Sequence, residues 1–238
     1  MNGAHDLGGR HGFDAIDTSQ QVNFEHEWEQ KVFALTLACG MLGKWNLDQS
    51  RFARERCDPA EYLAGSYYEH WLHGLELLLV EQGLLTEAEL REGSTVDGSP
   101  EESRAASPQR VDSILSTGGP TLMDDIAAPR FAVGDVVVVK PDNTSAHTRA
   151  PGYVKGKAGQ VVSHHGSHIY ADEHAASGNK TPAHLYCVKF DAQTLWGDSG
   201  SEQCPVYADL FEPYLISLQA HLSALQSHVT GNDGSQHG

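Results

Sequence analysis

The sequence predicts an α+β fold, with a helical N-terminal domain and a small antiparallel β-barrel at the C-terminal end. Three observations carry this. In the first hundred residues apolar side chains recur every three or four positions and helix-start signals repeat. From about residue 131 the chain changes to β-branched or alternating stretches punctuated by Gly and Pro. Between them lies GSTVDGSPEESRAASPQR, rich in Ser, Gly, Pro and scattered charge, which reads as a linker.

The expected organisation is an extended arm over 1–27, a helical domain over 28–92, a linker over 93–130, a barrel domain over 131–216 and a tail over 217–238 with a disordered end. The arm is rich in Gly, Asp and His and lacks periodicity, so it needs another surface to order it and is a candidate partner contact. Gly8, Gly9 and Gly12 read as flexibility there. Phe24, Trp28, Val32, Leu35 and Cys39 mark an amphipathic helix that ends at Gly40 and Gly43.

Asp48 is a suitable N-cap for a short helix through Arg56, since its carboxylate accepts free first-turn N–H groups. Asp58-Pro59-Ala60-Glu61 combines a capping acid, a Pro at the first helical position and a Glu placed to close a capping box. One helix is expected from there to Gly83, with Tyr67, Trp71, Leu75 and Leu78 on a stripe. Thr86 and Glu89 open a final short helix, and VDSILS offers a brief helical turn in the linker. FAVGDVVVVK, KGKAGQVVSHHG, HLYCVKFDAQTLW and Val206 to Leu215 are the strand segments. The tail keeps helical spacing through Leu225.

Composition excludes several functions. With 238 residues and 39% hydrophobic content the chain has enough apolar material for a core. A formal charge of −16 repels phosphate backbones and anionic lipid headgroups, so neither nucleic acid nor membrane is an expected partner. The start lacks a basic and apolar leader and no apolar run approaches the roughly 20 residues of a membrane span, so the expected location is cytoplasmic. Cys39, Cys57, Cys187 and Cys204 are far apart, as reduced packing thiols would be. No GxSxG elbow, HExxH, Walker glycine loop or dinucleotide fingerprint occurs.

Of the 14 histidines, His164, His165 and His168 cluster around HHGSH, with His174 and His184 beyond. They sit near a turn without accompanying cysteines or a matched carboxylate, and a structural zinc wants four converging ligands. No metal is therefore expected on this chain.

Taken in order, MNGAHDLGG, FEHEWEQKVFAL, SRFARERCDPAEYLAGSYYEHWL, FAVGDVVVV, AHTRAPGYVKGKAGQVV, HLYCVKF with LWG, and VYADLFEPYL resemble the nitrile hydratase β family across nearly the whole chain except linker and tail. The related thiocyanate hydrolase divides such regions between two chains, whereas here they are continuous. The resemblance implies an SH3-like form for the barrel and hydration of a small nitrile to its amide. It also implies an αβ heterodimer with a nitrile hydratase α subunit, or the doubled α2β2 form. The cofactor, Co(III) or non-haem Fe(III), would lie on α, because the family's CxxCSC cluster is absent from this sequence. The alternative readings are a metallochaperone or activator for that α subunit, a thiocyanate-hydrolase-like subunit, and a binding module unrelated to nitriles.

The resemblance also implies site residues. Two of the ligating α cysteines are oxidised to sulfinic and sulfenic forms, whose oxygens need donors. A guanidinium suits them, being always charged and presenting a planar fork of N–H groups. The family's two β-subunit arginines fall on Arg51, in Ser50-Arg51-Phe52, and Arg149, in His147-Thr148-Arg149. From the residues alone, Arg51 also reads as half of an Arg51–Glu55 surface pair worth a few tenths of a kcal/mol, and Arg149 as a solvated loop cation. Tyr67, Tyr68 and Trp71 read either as core packing or, by resemblance, as part of the substrate-pocket border. Tyr67 and Trp71 are the pocket candidates there, with Leu47, and Ser50 stands where some family members carry a larger apolar residue.

Overall fold

The computed structural model describes residues 3–10, 12, 13, 15, 18, 19, 23–94, 105–124, 127–142, 144–197 and 204–231. The Ser- and Pro-rich core of the expected linker and the last residues of the tail lie outside them.

Among the described residues, six helices make the first part: α1 (Glu27–Gly40), α2 (Leu47–Glu55), α3 (Pro59–Ala64), α4 (Tyr67–Glu81), α5 (Glu87–Glu92) and α6 (Pro108–Thr117). The helix foreseen from Phe24 begins at Glu27, where the Glu29 carboxylate accepts the His26 N–H at 3.0 Å. Phe24 packs instead against Phe33 and Tyr68, with ring centroids 5.7 and 5.3 Å away.

The N-cap of α2 is Asn46, not Asp48: the Asn46 side-chain oxygen accepts the N–H groups of Asp48 at 3.0 Å and Gln49 at 2.9 Å. Asp58 does cap α3, accepting from Ala60 at 2.8 Å. The single helix expected from there is two. The chain is extended at Gly65 and restarts at Ser66, whose N–H donates to Glu69 at 2.6 Å. The break lets the His70 Nε2–H donate to the Tyr62 carbonyl at 2.8 Å while the two rings stack at 4.1 Å. The capping box at Thr86 and Glu89 forms as expected.

The second part is an antiparallel sheet of β1 (Leu122–Met123), β2 (Val136–Val139), β3 (Ala158–Ile169), β4 (Pro182–Phe190), β5 (Val206–Phe211) and β6 (Leu215–Ser217). The strand order is β5-β4-β3-β2-β6, and β1 pairs with β3. The sheet is open, not a closed barrel. Strand β6 is three residues long and pairs with β2, so β5 and β6 stand at opposite edges. The helices α7 (Ala171–Ser177) and α8 (Ala192–Trp196) interrupt the strands, so DAQTLW leaves the strand predicted for it, and α9 (Leu218–Gly231) follows β6.

Alternation along β4 buries His184, Tyr186, Val188 and Phe190 on one face. With Val137, Val161, Leu210 and Leu215 most of these form the core. No described helix is long and apolar enough to cross a membrane.

Candidate functional site

The two parts meet where α2 faces the loop after β2 and the start of α7. Asp48, Arg51 and Glu55 are spaced three and four apart, so one face of α2 presents all three. Asp48 is buried. Its Oδ1 accepts from Arg51 Nη1 at 2.8 Å and its Oδ2 from the Nδ1–H of His174, also at 2.8 Å. Asn46 adds a bond to the His174 carbonyl at 2.7 Å. Two turns along, Glu55 accepts from Nδ1–H of His147 at 2.8 Å, and the His147 ring is 1% exposed. Two carboxylates of one helix thus hold two histidines of the sheet part. A buried carboxylate requires such partners.

His147 immediately precedes Thr148 and Arg149, so the same contact fixes the arginine loop. The Arg149 N–H donates to the Tyr214 hydroxyl oxygen at 3.0 Å, and Tyr214 O–H donates onward to Asp172. Tyr170 O–H reaches the other Asp172 oxygen at 3.1 Å. Burial pushes the Asp172 carboxyl above its ordinary range, although bonds from Tyr214, Tyr170 and Thr148 oppose the shift. Burial, reinforced by Asp172, drives the Tyr170 and Tyr214 hydroxyls upward, so both stay protonated donors.

Over this junction lies a cleft of about 300 Å³. Arg51 and Arg149 line it, as do Tyr67 and Trp71, with Glu55, Tyr62 and His70 completing the wall. Two further groups enter that sequence reasoning missed. The Arg54 guanidinium stacks 3.9 Å over the Trp71 ring and reaches Ser50 Oγ at 3.4 Å; burial, more than any charge, lowers its pKa. His5 arrives from the arm, with burial lowering its pKa against the pull of Glu55. The Trp71 indole N–H and both His5 ring nitrogens are buried there without a hydrogen-bond partner among the described residues, and the Glu55 carboxylate stands 4.0 Å from His5 Nε2.

Of the five residues singled out from sequence, four surround this cleft. Leu47 does not. It lines a neighbouring hollow of about 460 Å³ with Trp45, Ser50 and Leu115, and Arg54 and Trp71 border both spaces. The Arg51–Glu55 surface pair is absent: Arg51 turns to Asp48, and Glu55 is taken by His147. The i, i+3, i+7 placement of Asp48, Arg51 and Glu55 was the available signal of a contact face.

The arm reaches the cleft by docking on its own chain. Asp6 accepts the Gly152 N–H at 2.9 Å. Gly8 and Gly9 are packing positions rather than flexible ones: a Cβ on Gly8 would stand 2.8 Å from the Tyr153 ring, and one on Gly9 2.5 Å from Trp196. The four cysteines are free thiols.

Comparison with known proteins identifies the family. The N-terminal family model of the nitrile hydratase β subunit matches residues 1–114, and the C-terminal model matches 120–217. The chain belongs to the nitrile hydratase β-subunit family. It is 37% identical over 224 residues to the low-molecular-weight cobalt-containing nitrile hydratase subunit β of Rhodococcus rhodochrous, covering 91% of this chain and 99% of that one. Identity to the nitrile hydratase subunit β of Pseudomonas putida is 37% over 228 residues, covering 90% and 99%. For the cobalt-containing subunit of Pseudonocardia thermophila it is 35% over 232 residues, covering 94% and 100%. Nitrile hydratase is a hydro-lyase that converts nitriles to amides, and this β subunit is part of that enzyme together with an α subunit.

Proposed function

We propose that Arg51 and Arg149 hydrogen-bond the oxidised cysteine ligands of a metal centre carried by the α subunit. The observation that carries this reading is that the two arginines, drawn from opposite halves of the chain, line one cleft. The metal is Co(III) or non-haem Fe(III), and cobalt is favoured because two of the relatives are named cobalt-containing. This chain's own dispersed cysteines do not fit such a centre. Its guanidinium groups do fit the anionic oxygens of one.

Bound in α, the metal supplies a Lewis acid for adding water to the nitrile. The β subunit's part is to position and enclose. Arg51 spends one of its five N–H donors on buried Asp48, which holds the guanidinium plane. The Tyr214 and His147 contacts hold the backbone that carries Arg149. Fixed donors need no reorganisation as charge develops, which is where such groups gain their effect. Tyr67 and Trp71, 5.8 Å apart between ring centroids, supply an apolar wall against the substrate. Leu47 lines the adjoining hollow, which shares Arg54 and Trp71 with the cleft. We further propose that the open sheet curls into an SH3-like half-barrel and that the assembled unit is an αβ heterodimer, alone or doubled to α2β2.

Arg51→Lys and Arg149→Lys test the arginine roles, because charge survives and the fork does not. In assembled, metal-loaded enzyme each should lower kcat by about 10²–10³-fold, the usual effect of losing one preorganised donor. Metal content and αβ association should persist. Near-normal turnover in such preparations would overturn the assignment.

A further inference from the structure

We propose a metal site on the sheet face opposite the core: His165, Cys187 and Asp209 form a three-ligand site for a borderline divalent cation of the Zn²⁺ type. The ring nitrogen, thiol sulfur and carboxylate oxygen all lie within 4.8 Å of one another. A histidine, a cysteine and a carboxylate are the donor set this class of ion selects, whereas Mg²⁺ and Ca²⁺ take oxygen ligands.

Strand register builds the site. Cys187 on β4 pairs with Ser163 of β3 on one side and with Asp209 of β5 on the other. Along β4 the buried positions are His184, Tyr186, Val188 and Phe190, so Cys187 belongs to the opposite face. His165 reaches it because β3 shifts register between His164 and Ser167. Such a bulge re-aims one side chain. The His165 Nε2 comes to 3.2 Å from Asp209 Oδ1. The histidine patch has no cysteine or carboxylate beside it in the sequence, and the sheet supplies both from later strands.

Burial, followed by the charge of Asp209, raises the Cys187 thiol pKa. A dication reverses that balance, since it binds the thiolate and neutralises the carboxylate's influence. Three protein ligands leave a fourth tetrahedral position to water, and His165 and Asp209 are exposed enough to admit it. An ion there ties together β3, β4 and the edge strand β5.

The test uses the assembled holoenzyme, dialysed against Zn²⁺ and analysed for metal. One zinc per β chain beyond the catalytic metal is expected. His165→Ala and Asp209→Asn should weaken its binding by at least about tenfold, the lower end of what losing even a supporting contact costs a metal site. His221→Ala, on α9 beside the opposite edge strand β6, should leave it unchanged. Co²⁺ as the probe supplies a second readout that needs no destabilising substitution. On addition of Co²⁺, the wild-type enzyme should gain a thiolate-to-cobalt charge-transfer band over the fixed spectrum of the catalytic metal, a gain that persists in Cys204→Ser and is lost in Cys187→Ser. Absence of extra zinc, equal binding by His165→Ala, or an added-cobalt difference spectrum without thiolate character would each overturn the site. None of these results bears on turnover, so the arginine roles stand or fall separately.

Discussion

In the sheet part, Val137, Tyr186, Val188, Phe190, Leu210 and Leu215 are all 0% exposed, so that part closes a core from its own residues. In the helical part, Phe33 is 36% exposed, Leu35 53% and Tyr67 65%, and α1 buries Glu29, Val32 and Thr36 alone. A groove of about 540 Å³ between α1, α4 and α5 is walled by Leu35, Leu42, Leu72, Leu79 and Leu85. Exposed apolar surface of this kind marks contact with something else. The difference teaches a division of labour: the sheet part is a finished scaffold, and the helical part is one side of a shared surface. That division suits a β subunit that works together with an α subunit.

The sharpest way to break the comparison is to truncate one large side chain in each part. Phe190→Ala should cost about 3–5 kcal/mol, because its ring is enclosed on every side and leaves a cavity. Leu35→Ala should cost within about 0.5 kcal/mol in the lone β chain, as an exposed position does. Denaturant midpoints measure both. Equal losses would mean that the helical part packs a core of its own.

A smaller effect is expected where the arm joins the scaffold. Gly9 has φ of 73° and stands against Trp196. Gly9→Ala carries the left-handed backbone penalty of roughly 1–2 kcal/mol and also displaces the ring. Gly83→Ala has a similar φ, 65°, with nothing near the added Cβ, so only the backbone penalty applies. Limited proteolysis near the N-terminus separates them. The arm should become cleavable in Gly9→Ala and remain protected in Gly83→Ala; equal protection would show that the arm is not held by this contact.

What the sequence made legible follows the range of the forces involved. Local signals were sound: the Thr86–Glu89 capping box and the Asp58-Pro59 helix start are written in adjacent residues. Asp48 was misread as the cap because Asn46, two residues earlier, satisfies the same geometry, and Asp48 was needed for His174, 126 residues away. The break at Gly65 was hidden because apolar periodicity runs across it. Both arginines were identifiable only through resemblance to a family. Their supports were not, since Glu55–His147 and Tyr214–Arg149 join residues 92 and 65 positions apart. Open versus closed sheet was equally hidden, because edge pairing depends on where a three-residue strand lands.

The smallest expected effect concerns the hydrogen-bonded carboxyl behind the arginine loop. Asp172 receives hydrogen bonds from Tyr170 and Tyr214, and burial still raises its pKa above the ordinary 3.8. On unfolding, the carboxyl returns to its ordinary value and ionises more readily. The folded state therefore holds the proton more tightly, so this group's contribution is fully present below the ordinary carboxylate pKa. It is lost as pH rises through the raised one. Asp172→Asn cannot titrate. The wild type should thus lose stability relative to this variant as pH rises from about 4 through the raised value, and the gap should then level off. Because Tyr214 also accepts the Arg149 N–H, the substitution should loosen the arginine loop, lowering turnover by less than Arg149→Lys does. Parallel stability curves across that range would show that folding does not raise the pKa of Asp172, and the tyrosine pair alone would then account for the position of Arg149.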